Sequence, residues 1–431
     1  MVTIRTNETR PPAFETPAQT NRAAMAMVTT LFFMWGFLTV LNDILIPHLK
    51  AIFDLNYAEV MTVQFAFFAS YFVFAFPSGK LIDWVGYKRA MVAGLFTMGV
   101  GALLFIPAAT AALFPLFLGA LIVLAAGMTI LQVSANPYVA VLGPEKTASS
   151  RLNLAQAFNS LGTAIGPKIG GVLILGSAPL AATVIAKMSD VQRHAYRVEQ
   201  ASTVKMPYLV FAGVLIALGI AMAVFKLPDV PAAHKTDSAG GHGSVWRYRH
   251  LVLGAIGIFV YVGAEVAIGS FLVNYLSQSY IGNLSLVSAA GYVSFYWGGA
   301  MVGRFIGSGL LQKVKTGTLL GINAIMACLL VCITMLTFGH IAMWSIILVG
   351  LFNSIMFPSI FTMSIEGLGP LTGDGSGILV AAIVGGAIIP EIQGVIADHI
   401  GIHHAFFLPA LCYIYIAYFA FRGSHHDSPP A

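Results

Sequence analysis

The chain has 431 residues, of which 58% are apolar and 9% charged, with a formal charge of +5. A soluble domain carries roughly 25% charged residues, and no water-soluble fold has enough interior to hide this much apolar side chain. The basic residues are scattered at the ends of apolar runs rather than gathered in a stripe, which reads as membrane topology and excludes a nucleic-acid surface.

In chain order, residues 1–24 are polar and carry Pro11, Pro12 and Pro17 without a cleavable signal pattern. They read as a cytoplasmic tail. A membrane-spanning helix needs about 20 apolar residues. On that ruler residues 25–226 hold six spans, centred near Trp35, Phe68, Met98, Leu124, Ile165 and Leu215. Turn and charged residues separate them at Lys50–Asn56, Asp83–Arg89 and Gly143–Arg151, and a softer break falls near Ala108–Ala112. A polar stretch, Lys187–Lys205, joins the fifth and sixth spans. Residues 227–247 form a cytoplasmic linker with Pro228, Pro231, Gly240, Gly241 and Gly243. Residues 248–421 hold six more spans, near Phe259, Tyr296, Met326, Leu348, Val384 and Tyr413, and 422–431 form a second cytoplasmic tail. Gly303-Arg304-Phe305 reads as a charged turn after the eighth span, a faint echo of the segment at Gly79–Arg89. The fold expected is an all-α polytopic membrane protein of about twelve transmembrane helices in two six-helix bundles.

Lys and Arg counts orient it. With both termini in the cytoplasm, only Lys50, Lys187, Arg193, Arg197 and Lys205 of the 22 basic residues face outward, and Lys168 falls inside a span. A multi-pass protein of the cell membrane follows, the bacterial inner membrane being its expected place. Cys328, Cys332 and Cys412 all lie in apolar runs, so neither a disulfide framework nor a zinc site is expected. His48 and His340 read as loop or interface residues.

Ionisable groups at membrane depth cost at least ~2.5 kcal/mol, which makes each a functional candidate. They are Asp43 in the first span, Lys168 in the fifth, Glu265 in the seventh and Glu391 in the eleventh. Neutral polar groups join them: Asn42, Gln64, Gln132, Asn136, Gln156, Asn159, Asn274, Asn353 and Gln393. Gln132 and Asn136 share a helix face, and Gln156 and Asn159 nearly do. Amides donate and accept hydrogen bonds, which suits sugar hydroxyls; Trp35, Tyr138, Tyr261, Tyr296 and Trp297 offer rings for the apolar face of a pyranose. The competing reading is that these amides bind helix to helix. Glu265 likewise is either bonded to a neighbouring helix or part of a cavity wall. Asp43 and Lys168 fall at similar depth, ~26 Å from the inner surface at 1.5 Å per residue. They either sense each other's charge or leave Lys168 reaching to the outer interface.

The segment Gly79-Lys-Leu-Ile-Asp83-Trp-Val-Gly86-Tyr-Lys88-Arg89 resembles the loop between the second and third helices of the major facilitator superfamily. Leu41-Asn42-Asp43-Ile44-Leu45-Ile46-Pro47, Gln132-Val-Ser-Ala-Asn136-Pro-Tyr138 and Arg151-Leu-Asn-Leu-Ala-Gln156-Ala-Phe-Asn159-Ser160 are similar to the fucose:proton symporter family within it. The resemblance implies a monomeric secondary transporter, not an enzyme, that imports a hexose or N-acetylhexosamine. H⁺ is the expected coupling ion, with no cofactor. A Na⁺-coupled or uncoupled carrier is the alternative, and a non-transporting sugar sensor the different-class one. The resemblance implies Asp43 as the protonation site; Lys168 is a departure from the family and joins Asp43 as a cation-coupling candidate only through its similar depth. Asn42, Gln132, Asn136, Gln156, Asn159, Glu265, Asn274, Trp297 and Asn353 are the candidate sugar contacts. Gly79, Asp83, Gly86, Lys88 and Arg89 form a gating loop. Two departures argue against fucose. Gln132 stands where the fucose carrier has Glu and cannot titrate, and Phe357 replaces a cavity Tyr.

Overall fold

The computed structural model describes residues 19–53, 57–174, 188–228 and 244–424. Within these, the side chains of Asn42, Asp43, Gln64 and Lys168 lie outside the described set. The first bundle runs through α1 (Arg22–Phe53), α2 (Tyr57–Ala111), α3 (Phe114–Val141), α4 (Ala148–Ile174), a short α5 (Asp190–Ser202) and α6 (Lys205–Val224). The second holds α7 (Arg249–Leu276), α8 (Leu286–Leu310), α9 (Thr316–Leu336), α10 (Gly339–Asn353), α11 (Met356–Ile365), α12 (Thr372–Ala381), α13 (Gly385–Ile400), α14 (Ile402–Ala405) and α15 (Phe407–Tyr418). Taken with α10–α11, α12–α13 and α14–α15 as broken single crossings, α2 as two and the 13-residue α5 as none, the described residues make twelve crossings.

Local chemistry explains the breaks. α2 is two helices joined in the expected loop at Gly86, whose backbone is non-helical and whose φ of 79° is open to glycine and strained for other residues. The softer break falls where it was expected: α2 ends at Ala111 and Ala112 turns the chain at φ 46°. α5 begins with a reciprocal cap, in which the Gln192 amide donates to Ser189 Oγ and the Ser189 amide to Gln192 Oε1. The chain reverses between α13 and α14 at Gly401, φ 83°.

Among the described residues, nine stretches are long and apolar enough to span a bilayer by composition. α4 and α8 fall short of that mark. They are less apolar because they face each other across the two bundles with Ser, Asn and Arg. Ser150 Oγ donates to the Ser308 carbonyl at 2.6 Å, and Asn153 Nδ2 to the Arg304 carbonyl at 2.7 Å. Rising numbers on α4 meet falling numbers on α8, so the two helices run antiparallel. The outward surface is apolar instead, with Leu329, Leu348 and Ile414 about half exposed, as a lipid-facing exterior permits.

Two placements correct the sequence reading. Arg304 does not follow the eighth span; it lies inside α8, with its side chain only 13% exposed and 3.7 Å from Glu265. It therefore leaves the set of basic residues that face the cytoplasm. Arg151, expected in a turn, is buried at the start of α4. Its guanidinium donates to the carbonyls of Val139, Ala140, Gly143 and Pro144, closing the carboxyl end of α3.

Candidate functional site

The polar set of the first bundle is built on α1, α2, α3 and α4. α1 and α4 cross closely because Gly36 sits against the backbone of Asn159 and Gly162 against that of Phe33. That crossing fixes Asn159, whose Nδ2 donates to the Phe32 carbonyl at 2.9 Å. Gln156 is buried one turn earlier on the same helix. From α3, Gln132 Nε2 donates to the Tyr71 hydroxyl at 3.0 Å, and Trp35 on α1 bonds the same hydroxyl. Asn42 and Asp43 follow Trp35 by about two turns of α1, and their side chains lie outside the described residues.

Several of these groups lack partners. Gln132 Oε1 and both side-chain atoms of Asn136 are buried without a hydrogen bond. An unmet buried polar atom costs on the order of 1–3 kcal/mol, and native structures keep few of them. An acceptor oxygen on Gln132, next to a tyrosine hydroxyl already accepting two bonds, is the equipment for receiving a hydroxyl group.

The second bundle presents a different arrangement. Asn353 is fully buried and its amide is spent. Nδ2 donates to the Tyr296 hydroxyl at 2.8 Å, Oδ1 accepts from the Tyr413 hydroxyl at 2.8 Å, and its carbonyl accepts from the Tyr261 hydroxyl at 3.1 Å. Tyr296 in turn donates to the Glu265 carbonyl at 3.1 Å. The rings of Tyr261, Tyr296 and Tyr413 are fully buried. They pack the bundle around the break between α10 and α11. Phe357, buried on α11, stacks on Phe361 at 5.9 Å. Trp297 is 43% exposed beside Gly269, and Asn274 is exposed in the last turn of α7, away from that cluster. Glu391 is exposed and Gln393 buried without a hydrogen bond, both on α13.

The segment Gly79–Arg89 packs on the start of α12. A Cβ at Gly79 would meet the Gly373 carbonyl oxygen at 2.9 Å, and one at Gly373 would meet Asp83 Oδ1 at 3.1 Å. Asp83 thus sits at the positive end of α12. Gly86 supplies the bend, Lys88 Nζ donates to the Ala223 carbonyl at 2.8 Å, and Arg89 is exposed. Ser376 Oγ donates to the Val133 carbonyl at 2.8 Å, and Ser149 and Thr362 share a bond of 2.6 Å. These bonds, with those of Ser150 and Asn153 across the α4–α8 seam, tie the two bundles together in the half of the molecule adjoining this segment.

A model of the Major Facilitator Superfamily matches residues 25–390. The chain belongs to that superfamily. It is 54% identical over 411 residues to a glucose/galactose transporter of Brucella abortus, covering 95% of this chain and 96% of that one. It is 35% identical over 406 residues to the L-fucose-proton symporter of Escherichia coli, covering 92% of each. The crystal structure of a single-residue variant of the Escherichia coli fucose:proton symporter FucP superposes with a TM-score of 0.87 at 33% identity, over 95% of this chain and all of that one. A second FucP structure, described as the outward conformation, gives the same score over 94% of this chain and 99% of that one. The twelve-crossing, two-bundle architecture read from the sequence is the superfamily's fold.

The amides stand out in the sequence, whereas Tyr71, Ser160 and the glycines at Gly36 and Gly162 do not. Tyr71 and Ser160 are ordinary residues of a membrane helix by composition. The one signal available was the repetition of small residues where α1 and α4 meet, a known mark of close helix approach in membranes.

Proposed function

We propose that this chain is a secondary transporter that imports a monosaccharide, a hexose or an N-acetylhexosamine, across the bacterial inner membrane by alternating access. Both termini and the Gly79–Arg89 segment lie in the cytoplasm on this reading. The molecule is then closed to the cytoplasm and open outward, the conformation in which FucP has been described. The observation that carries the proposal is the set of unsatisfied amide atoms on Gln132 and Asn136, beside Tyr71 and in the bundle that also holds Gln156 and Asn159. The names of the relatives point the same way, toward glucose or galactose.

Sugar enters from outside and its hydroxyls take up the free acceptor of Gln132, with Trp35 as the stacking ring. Asn42, Gln156 and Asn159 complete the donors. Proton coupling rests on Asp43, since Gln132 cannot titrate. A protonated Asp43 removes a charge from the cavity and lets the bundles close over the sugar. A proton moving inward gains ~2.3 kcal/mol per 100 mV, which supports roughly fifty-fold accumulation. Lys168 at similar depth tunes that carboxylate. The gating segment sets the exchange rate rather than sugar choice.

The test is labelled glucose and galactose uptake into proteoliposomes under an imposed pH gradient. Uptake that a protonophore abolishes supports proton coupling. Uptake that follows a sodium gradient and ignores the protonophore assigns the other ion. Absence of uptake for every hexose and N-acetylhexosamine overturns the proposal.

A further inference from the structure

The buried pair of Arg304 and Glu265 belongs to neither the amide set nor the gating segment. Arg304 comes from α8 and Glu265 from α7, both in the second bundle, yet the arginine reaches across to the first. Its Nη1 donates to Ser160 Oγ on α4, and its Nε to the Ser354 carbonyl at 3.3 Å, at the break between α10 and α11. Glu265 stands 3.7 Å from Nη2, and its Oε1 has no hydrogen bond. A charge-assisted N–H···O bond is about 2.7–2.9 Å long. The carboxylate therefore neutralises the guanidinium without clasping it.

Ser160 has a second tie. Its hydroxyl donates to the Gln156 carbonyl at 3.1 Å while accepting from Arg304, and it directly follows Asn159. Along the α4–α8 seam, the contacts run from Ser150 through Asn153 to Ser160. Arg304–Ser160 is the link farthest from the closed end and nearest the amides.

We propose that Arg304 is a positioning residue with two alternative partners: it holds Ser160 while this end is closed and passes to Glu265 when the bundles part. The proposal rests on the alternating-access reading above. When α4 and α8 separate, the guanidinium loses a buried acceptor, which is costly unless another is at hand. Glu265 is within about an ångström of hydrogen-bond length and has the free oxygen. Both arrangements satisfy the arginine, which makes the seam two-state rather than continuously deformable. Because the Ser160 hydroxyl also holds the turn carrying Gln156 and Asn159, a sugar that moves this turn acts on the seam directly.

The experiment reads conformation, not transport. In solubilised protein with Cys328, Cys332 and Cys412 replaced by alanine, Ser308→Cys places a thiol on the seam, and its maleimide labelling rate reports opening. Ser160→Ala should raise that rate about fivefold, the worth of one net hydrogen bond, and Ser160→Thr should restore it. Glu265→Gln should lower the rate below that of the unaltered protein, because a neutral amide is a weaker acceptor for the freed arginine than a carboxylate. Where Glu265→Gln does not accumulate, the charge-free pair Arg304→Gln with Glu265→Gln carries the test, and adding Ser160→Ala to it should change nothing. No effect of Ser160→Ala, an effect that threonine does not reverse, or an equal effect without Arg304 would overturn the proposal. Sugar counterflow by the unaltered protein tests the transport reading separately.

Discussion

Gly36→Ala on α1 is the sharpest perturbation of the candidate sugar site that replaces none of its polar groups. A Cβ there would lie 2.8 Å from the Asn159 carbonyl carbon and 2.9 Å from its Cγ, with the carbonyl oxygen nearer still. Ordinary contact begins at 3.4 Å, so α1 and α4 must separate, and most of the obstruction is backbone that has no other place to go. Overpacking of this kind costs about 1–3 kcal/mol. The same displacement carries Asn159 and Gln156 away from Trp35 and Gln132. An equal loss in sugar binding corresponds to a rise of roughly fivefold to 150-fold in KM. Thermal unfolding with and without sugar, together with counterflow KM, measures both effects. Gly119→Ala on α3 is the control, since nothing lies within 4 Å of its Cβ position, and exchanging glycine for alanine in a helix is otherwise favourable by about 1 kcal/mol. Gly36→Ala with unaltered Tm and KM would refute the close crossing as the device that positions the amides.

Asp43→Asn should abolish accumulation driven by a pH gradient while leaving counterflow of labelled sugar, because a permanently neutral side chain still permits exchange; retained gradient-driven uptake would remove Asp43 from coupling. Lys168→Met should change the pH dependence of uptake, and an unaltered pH profile would leave the lysine without a coupling role. Asn353→Leu takes the acceptor from the Tyr413 hydroxyl and a donor from that of Tyr296, which should cost on the order of 1–3 kcal/mol and lower Tm with little change in KM. A large KM effect at full stability would make Asn353 a sugar contact instead. Gly79→Leu forces a side chain against Gly373 and should raise labelling of cysteines at the closed end while leaving sugar choice intact.

The spans were legible because lipid imposes one rule, an apolar run of sufficient length, and that rule can be read along the chain. α4 and α8 show its limit. Their serines, asparagines and glycines lower their hydropathy because they face another helix rather than lipid. The sequence still marked α4 through Gln156 and Asn159. Arg304 was misplaced for a related reason. A charge near the end of an apolar run looks like a turn, and its partner Glu265 lies on another helix whose register no local pattern reveals. The tight turn between the second and third spans was legible from its glycine-bracketed charges, and the non-helical backbone at Gly86 joins two helices there; how that segment packs on α12 is tertiary information. Asn353 was legible as a polar group inside a span. That its bonds go to three tyrosines is tertiary information.

Counterflow in proteoliposomes without any ion gradient is the most direct measurement. Vesicles loaded with unlabelled glucose or galactose should take up the labelled sugar transiently above equilibrium, and Gln132→Leu and Gln156→Leu should suppress that overshoot at matched protein levels. Overshoot unchanged by both substitutions, or none with any monosaccharide offered, would contradict a sugar path through these amides.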